Sequence, residues 1–572
     1  MRVKTKPLFT AGLLSAILLP IMIGILPVHD VSGNFIVQPD RVPEGVRINV
    51  DGKVEGTAQI QRSGNIYTLT GNIYDTIAIL RDGITLDGAG YNLQGNGDDS
   101  GIFIQEINNI TIKNLKISHF EYGIKFTWAN YWGQAIKRNN NIIENTITNN
   151  KYGIAFYDHS EGNTITNNYI ADNSHGILLQ QSNNILRNNK FVNNNYSISD
   201  YSTNINDIDT SNTINSKPIY YWINQHNKTV PFNAGWVVLR NCSRITVENL
   251  NLEGNSQGIL LSNTNSSTIN ENYLKSNLHG IVLQTSSNNT ISNNNVTKSD
   301  GYGIQLFYES NNNSIMNNRI WENSWQGLWV DYSNGTNISK NYIVANGDGV
   351  TLEVAKKSIV SGNNITLNEG VGIELSYETC DNVISKNYIE KNALGINMGP
   401  TFNEVSAGNI IIENMIRENN GWGIKLDPTQ TKNLIYHNNF INNNVTEGLQ
   451  VSNPGQYTYR DRQAQWLPAN PNSWDNGVEG NYWSDYEVRY PAAVESNMSG
   501  VWSTPFYINE NNVDNFPLVT PREIQSAENE NESAFNVESF PTSLAIASFV
   551  VLGVFGFGFL LNFAKRKRAK ET

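Results

Sequence analysis

The sequence predicts an all-β fold, a parallel β-helix with coils of about 23 residues, closed by a C-terminal cap and followed by a C-terminal transmembrane helix. Three observations predict it. A Gly-Ile-x-apolar tetrad recurs between Gly101 and Gly423, as at Gly258, Gly280, Gly303, Gly327, Gly349 and Gly372, mostly one coil apart. Between tetrads lies a second element, as in the runs beginning at Asn163 and Asn289, where apolar residues alternate with polar ones between Asn-rich corners. Period-two alternation cut by turn residues is the mark of short strands, and no helical period occurs outside the two ends of the chain. A single coil buries too few side chains to offset the entropy of ordering it, so the coils must stack, each covering its neighbour. Asn at the corners tolerates left-handed backbone and offers amide ladders from coil to coil.

The elements follow in order. Residues 1–33 read as a signal peptide or N-terminal anchor: Arg2, Lys4 and Lys6 precede an apolar run, and Val31-Ser32-Gly33 offers a cleavage site. Residues 34–82 cap the solenoid and begin its first coils, because an open strand edge needs cover. Residues 83–450 form the β-helix, interrupted at about 216–234 by an aromatic-rich insertion expected to protrude. Residues 451–521 lose the repeat but carry Trp466, Trp474, Tyr482, Trp483 and Trp502, which suits a C-terminal cap. Residues 522–540 are a polar, acidic stalk without the apolar content to fold. Residues 541–564 contain an apolar run from Leu544 to Ala564, long enough to cross a membrane, and 565–572 are basic. Basic residues stay inside, which puts the C-terminus in the cytoplasm and the solenoid on the extracellular face of the cell membrane.

Composition excludes several classes. A formal net charge of -12 offers no basic surface to a phosphate backbone, so nucleic acid is not an expected partner. The two cysteines cannot build a disulfide framework; Cys242 and Cys380 lie about six average coils apart, which places them in one corner column. Copper needs converging soft or imidazole ligands. The seven histidines are scattered singly, with His175 and His279 each preceding a tetrad glycine, and Met316, Met398 and Met415 do not converge with them, so no metal site is expected. No Gly-x-Ser-x-Gly elbow supports a serine nucleophile.

The chemistry-bearing signal is columnar. The second and fourth tetrad residues point inward, so the third, and the residue after the tetrad, point outward on one face. Four consecutive coils present Gln305 and Phe307, Trp329 and Asp331, Thr351 and Glu353, Glu374 and Ser376, flanked by Tyr308, Tyr332 and Tyr377. Rings bury the apolar faces of sugars and carboxylates take their hydroxyls. Phe307, Tyr308, Trp329, Tyr332 and Tyr377 are therefore the candidate carbohydrate contacts, and Asp331, Glu353 and Glu374 the weak catalytic candidates. The Tyr220 to Trp222 segment is the next candidate surface.

The Gly-Ile-x-Leu and Asn-Asn-x-Ile coils, Lys217-Pro-Ile-Tyr-Tyr-Trp222, Trp474-Asp-Asn-Gly and Gly480-Asn-Tyr-Trp-Ser-Asp-Tyr486 together resemble archaeal surface proteins with NosD-type right-handed parallel β-helix repeats, over about 40–520. That group is related to carbohydrate-binding and sugar-hydrolase β-helices. The resemblance implies a right-handed solenoid and polysaccharide, glycan or envelope-protein partners. Its name implies copper delivery, and its usual Asp-rich calcium loop is missing, the segment reading YPAAVESNMSGVWSTPFYI. No cofactor is expected. Asp158-His159 resembles part of a β-helix epimerase or lyase motif without its surroundings. Three functions follow: a glycan-binding or structural surface module, a polysaccharide-active hydrolase, lyase or epimerase, and a NosD-like copper-processing accessory protein.

Overall fold

The computed structural model describes residues 41–127, 136–137, 139–157, 160–180, 183–201, 205–399, 408–444, 450–453, 456–460, 463–467 and 470–524. The segments assigned above to a signal, a transmembrane helix and a basic tail lie outside these residues, as do Asp158, His159 and the stalk from residue 525 onward. Among the described residues no helix is long and apolar enough to cross a membrane. The chain divides into two compact units, the first comprising Met1–Asn189 with Asp200–Asp207, the second Lys190–Ser199 with Ile208–Thr572.

In the first unit the tetrads form a parallel sheet, Ile77–Ile79, Ser100–Gln105, Tyr122–Thr127, Tyr152–Phe156 and His175–Leu179, in register from coil to coil. Val46–Ile48 opens this sheet, and Val54–Glu55 pairs with it antiparallel, covering its edge.

In the second unit the tetrad sheet runs in parallel register through Gln257–Ser262, His279–Gln284, Ile304–Phe307, Gln326–Asp331, Asp348–Glu353, Val371–Ser376, Leu394–Met398 and Ile424–Leu426. Two further ten-stranded sheets complete each coil. The core lies between the three sheets, where Ile304, Leu306, Ile315 and Ile320 of one coil are fully buried and stack on their counterparts in the next. Tetrad glycine is required by packing: a Cβ at Gly303 would meet the Gly327 carbonyl oxygen at 2.5 Å.

Asparagine holds the corners in two distinct ways. Left-handed backbone falls on the exposed residue before each ladder position, such as Asn293 and Asn317 (φ 55° at both). The ladder itself is built by the buried residue that follows: Asn272, Asn294, Asn318, Asn341 and Asn363 pass amide bonds of 2.9 to 3.0 Å from coil to coil.

Two expectations are corrected. The segment 216–234 does not protrude. Lys217–Ile223 is a strand of the tetrad sheet, paired in parallel with Trp236–Arg240, because its own alternation turns Ile219 and Tyr221 inward. Cys242 and Cys380 do not share a column. Cys242 heads the ladder Thr264, Ser286, Ser310 and Ser333, whereas Cys380 stands opposite Lys356, one residue further round the corner. Unequal coil lengths accumulate to that offset, and both thiols are free.

The C-terminal cap is aromatic. Trp483 lies stacked between Phe440 of the last coil (4.5 Å between centroids) and Phe506 (4.2 Å). Its indole N–H donates to Asp514 Oδ2 at 2.8 Å, and Trp474 donates to Asn512 Oδ1 at 3.0 Å.

Candidate functional site

The outward columns form as period two and parallel register require. Gln305, Trp329, Thr351, Glu374, Asn397 and Lys425 are successive partners in one column. Asp331, Glu353 and Ser376 are partners in the next. Phe307 occupies the matching position on the preceding strand, where it pairs with Gln284.

The corner beside these columns carries the tyrosines. Tyr308, Tyr332 and Tyr377 have φ of 51°, 44° and 58°, left-handed conformations that bulky side chains disfavour. Equivalent corners of other coils hold Asn241, Asn263, Thr285 and Val354, at φ of 55°, 50°, 49° and 48°. Tyr332 and Tyr308 remain 56% and 38% exposed at these corners.

Trp329 is less open than the sequence suggests. Its ring stacks on Tyr302 at 4.7 Å, and its N–H donates to Glu353 Oε2 at 3.1 Å. Tyr302 in turn stacks on His279 at 5.2 Å, with Trp325 edge-on at 4.9 Å. The backbone N–H of Tyr302 donates to His279 Nδ1 (3.2 Å), and burial pushes this imidazole down to about 4, so it is neutral at pH 7. The column position before the tetrad glycine, shared by His279 and Tyr302, is the signal that would have found this cluster.

The carboxylates are half-buried to buried. Burial, then the charge of Glu353, pushes Asp331 up to about 7 against the Tyr332 backbone N–H. Burial also raises Glu353, opposed by the Trp329 indole. Burial pushes Glu374 up to about 7, with Asp348 and Glu353 adding repulsion and Asn397 and Lys425 opposing. Asn397 Nδ2 donates to Glu374 Oε2 at 2.7 Å. Asp331 is 9% exposed and Thr351 5%, yet Asp331 Oδ1 and Thr351 Oγ1 have no hydrogen-bond partner among the described residues. Such atoms ordinarily are satisfied, and these two lie on adjacent outward columns.

Metal ligands are not assembled here. Among the described residues no group of three or more His, Cys, Asp or Glu is arranged to hold an ion. His175 is stacked on Tyr152 at 4.7 Å and pushed down to about 4 by burial, Met398 is inside the core, and Met316 and Met415 stand on different sheets.

Residues 61–233 match the family described as periplasmic copper-binding protein (NosD), and residues 208–320, 235–383 and 314–463 match the right-handed β-helix region. The chain is a right-handed parallel β-helix protein that resembles the NosD type. No curated protein matches it. Among solved structures it is similar to a double mutant of the periplasmic alginate epimerase AlgG, at 14% identity over 66% of this chain and 80% of that one, with a TM-score of 0.31. It is also similar to the A-module of mannuronan C-5 epimerase AlgE4 from Azotobacter vinelandii, at 14% identity, 66% and 87% coverage and a TM-score of 0.32. A third is DFA-IIIase from Arthrobacter chlorophenolicus A6 in complex with GF2, at 10% identity, 57% and 85% coverage and a TM-score of 0.29.

Proposed function

We propose that this protein binds a polysaccharide on the outer tetrad face from Gln305 to Glu378, displayed outside the cell and anchored by the apolar segment at 541–564. The carrying observation is the pair of buried, unpartnered acceptors, Asp331 Oδ1 and Thr351 Oγ1, beside the exposed rings of Tyr308 and Tyr332. A sugar hydroxyl supplies the missing donors, while the rings cover its apolar face. Export rests on the charged and apolar segment 1–33 and on the basic residues after 564, and the periplasmic description of the NosD family accords with it.

The test is a glycan array probed with the full chain in detergent, followed by titration of the best ligand. Replacing Tyr308 and Tyr332 together by alanine lowers affinity at least about tenfold with unchanged circular dichroism. Unchanged affinity would move the site to Tyr220 and Trp222.

A second reading, a polysaccharide-active enzyme, is favoured by Asp331 standing at about 7, where a carboxyl can act as general acid. New reducing ends or unsaturated products that vanish in Asp331→Asn would establish it.

A further inference from the structure

The acids on this face follow a pattern that a neutral sugar does not need. Three consecutive strands, Gln326–Asp331, Asp348–Glu353 and Val371–Ser376, each place one carboxylate outward, at Asp331, Glu353 and Glu374. Successive strands lie about 4.8 Å apart, close to the length of one pyranose repeat. No Lys or Arg occurs in these three strands or in the strands Ile304–Phe307 and Leu394–Met398 on either side of them. The first cation in the column is Lys425, the partner of Asn397.

We propose that the polysaccharide bound here is an amino-sugar polymer with free amines, whose ammonium groups are received by Asp331 and Glu353 and, one repeat further on, by Glu374. The proposal rests on the glycan-binding reading above and names its ligand class. An ammonium has three donors and no acceptor. Asp331 Oδ1 is buried and unpartnered among the described residues, and Thr351 Oγ1 on the adjacent column is likewise. The Trp329 indole takes Oε2 of Glu353 and leaves its other oxygen to a ligand. The open rings of Tyr308 and Tyr332 add cation–π attraction beside the pair. A calcium ion is the poorer fit, because it takes about six to eight oxygens and two adjacent carboxylates supply too few. Asp331 and Glu353 repel each other in a half-buried setting, and an arriving cation relieves that repulsion.

The experiment is calorimetric titration of the full chain in detergent with a glucosamine oligomer, with its fully N-acetylated counterpart of equal length, and with calcium chloride. The amine oligomer is expected to bind at least about tenfold more tightly than the acetylated one. Asp331→Asn and Glu353→Gln, both near-isosteric and outward, should each cut affinity for the amine oligomer about tenfold more than they cut affinity for the acetylated one. Equal affinity for the two oligomers, lost in the tyrosine double variant, would overturn the amine assignment and leave the glycan reading standing. Binding of neither oligomer, with a neutral or acidic glycan bound on the array, overturns the amine assignment alone, whereas no glycan bound at all overturns both. Calcium binding that disappears in Asp331→Asn would assign the pair to a metal and likewise overturn the proposal.

Discussion

Replacing Asn318 by alanine tests the structural logic of the corners. Asn318 is 1% exposed. Its Oδ1 accepts the backbone N–H of Asn294 at 2.9 Å and Nδ2 of Asn294 at 2.9 Å, and its Nδ2 donates to the Ile291 carbonyl at 2.8 Å and to Asn341 Oδ1 at 3.0 Å. After truncation Asn341 Oδ1 still accepts the Asn318 backbone N–H, and Asn294 Nδ2 keeps the Ile269 and Ser292 carbonyls. The losses that remain are the partner of the Asn294 amide N–H and the side-chain donor to Ile291, at roughly 1–3 kcal/mol for each buried group, or about 2–6 kcal/mol together. A long repeat array does not unfold in two states, so the readout must be local. Hydrogen exchange with mass spectrometry should lose at least about thirtyfold protection in peptides covering 291–341, the equivalent of ~2 kcal/mol. The exposed neighbour Asn317 is the control, because Asn317→Ala costs only the left-handed penalty of about 1 kcal/mol. Equal loss in the two variants, or unchanged protection in Asn318→Ala, would refute the ladder as a source of stability.

Tyr332→Gly should slow hydrogen exchange in peptides covering its corner, since it relieves a left-handed tyrosine worth about 1 kcal/mol, while weakening glycan binding; faster exchange shows that the ring contributes more to the fold than its backbone costs. Asp514, pushed up to about 7 chiefly by burial, stands above the ordinary carboxylate value of about 3.9. The unfolded chain gives up this proton first, so its contribution to stability is complete below about pH 4 and is lost as pH rises through about 7. Hydrogen-exchange protection of peptides covering 481–516, corrected for the intrinsic exchange rate, should fall across that window more steeply in the wild type than in Asp514→Asn, and parallel slopes refute the assignment. The purified chain should take up no stoichiometric copper, and a calorimetric copper site that survives a weak competing chelator refutes this.

Much of the fold is legible because a β-helix writes one signal many times. Ile, Leu and Val at alternate positions mark the inner face, and each tetrad glycine marks the point where the next coil's carbonyl leaves no room for Cβ. The signals that mislead depend on composition or on averages. Pro218 and the aromatic run after it resemble a loop, but Ile219 and Tyr221 alternate as any inner pair does, and that alternation decides the strand. Cys242 and Cys380 fall in different columns because an average coil length conceals single-residue differences that add up over successive coils.

The site is legible to the extent that it depends on register. A spacing of one coil makes Asp331 and Glu353 neighbours, and they are partners on adjacent strands. Side-chain engagement is another matter, because it depends on rotamers and on columns outside the tetrad. Alternation alone presents Trp329 as an open sugar platform, whereas one face is covered by Tyr302 and its N–H holds Glu353. The more exposed rings on this face are those of Tyr332 and Tyr308, the latter with Phe307 tilted against it at 4.9 Å. Those tyrosines share a left-handed corner column with Asn241, Asn263, Thr285 and Val354, so neither alternation nor the turn singles them out. What sets their stretch apart is that two exposed rings stand beside Asp331 Oδ1 and Thr351 Oγ1, both without partners among the described residues, and the double tyrosine variant tests whether those features work together.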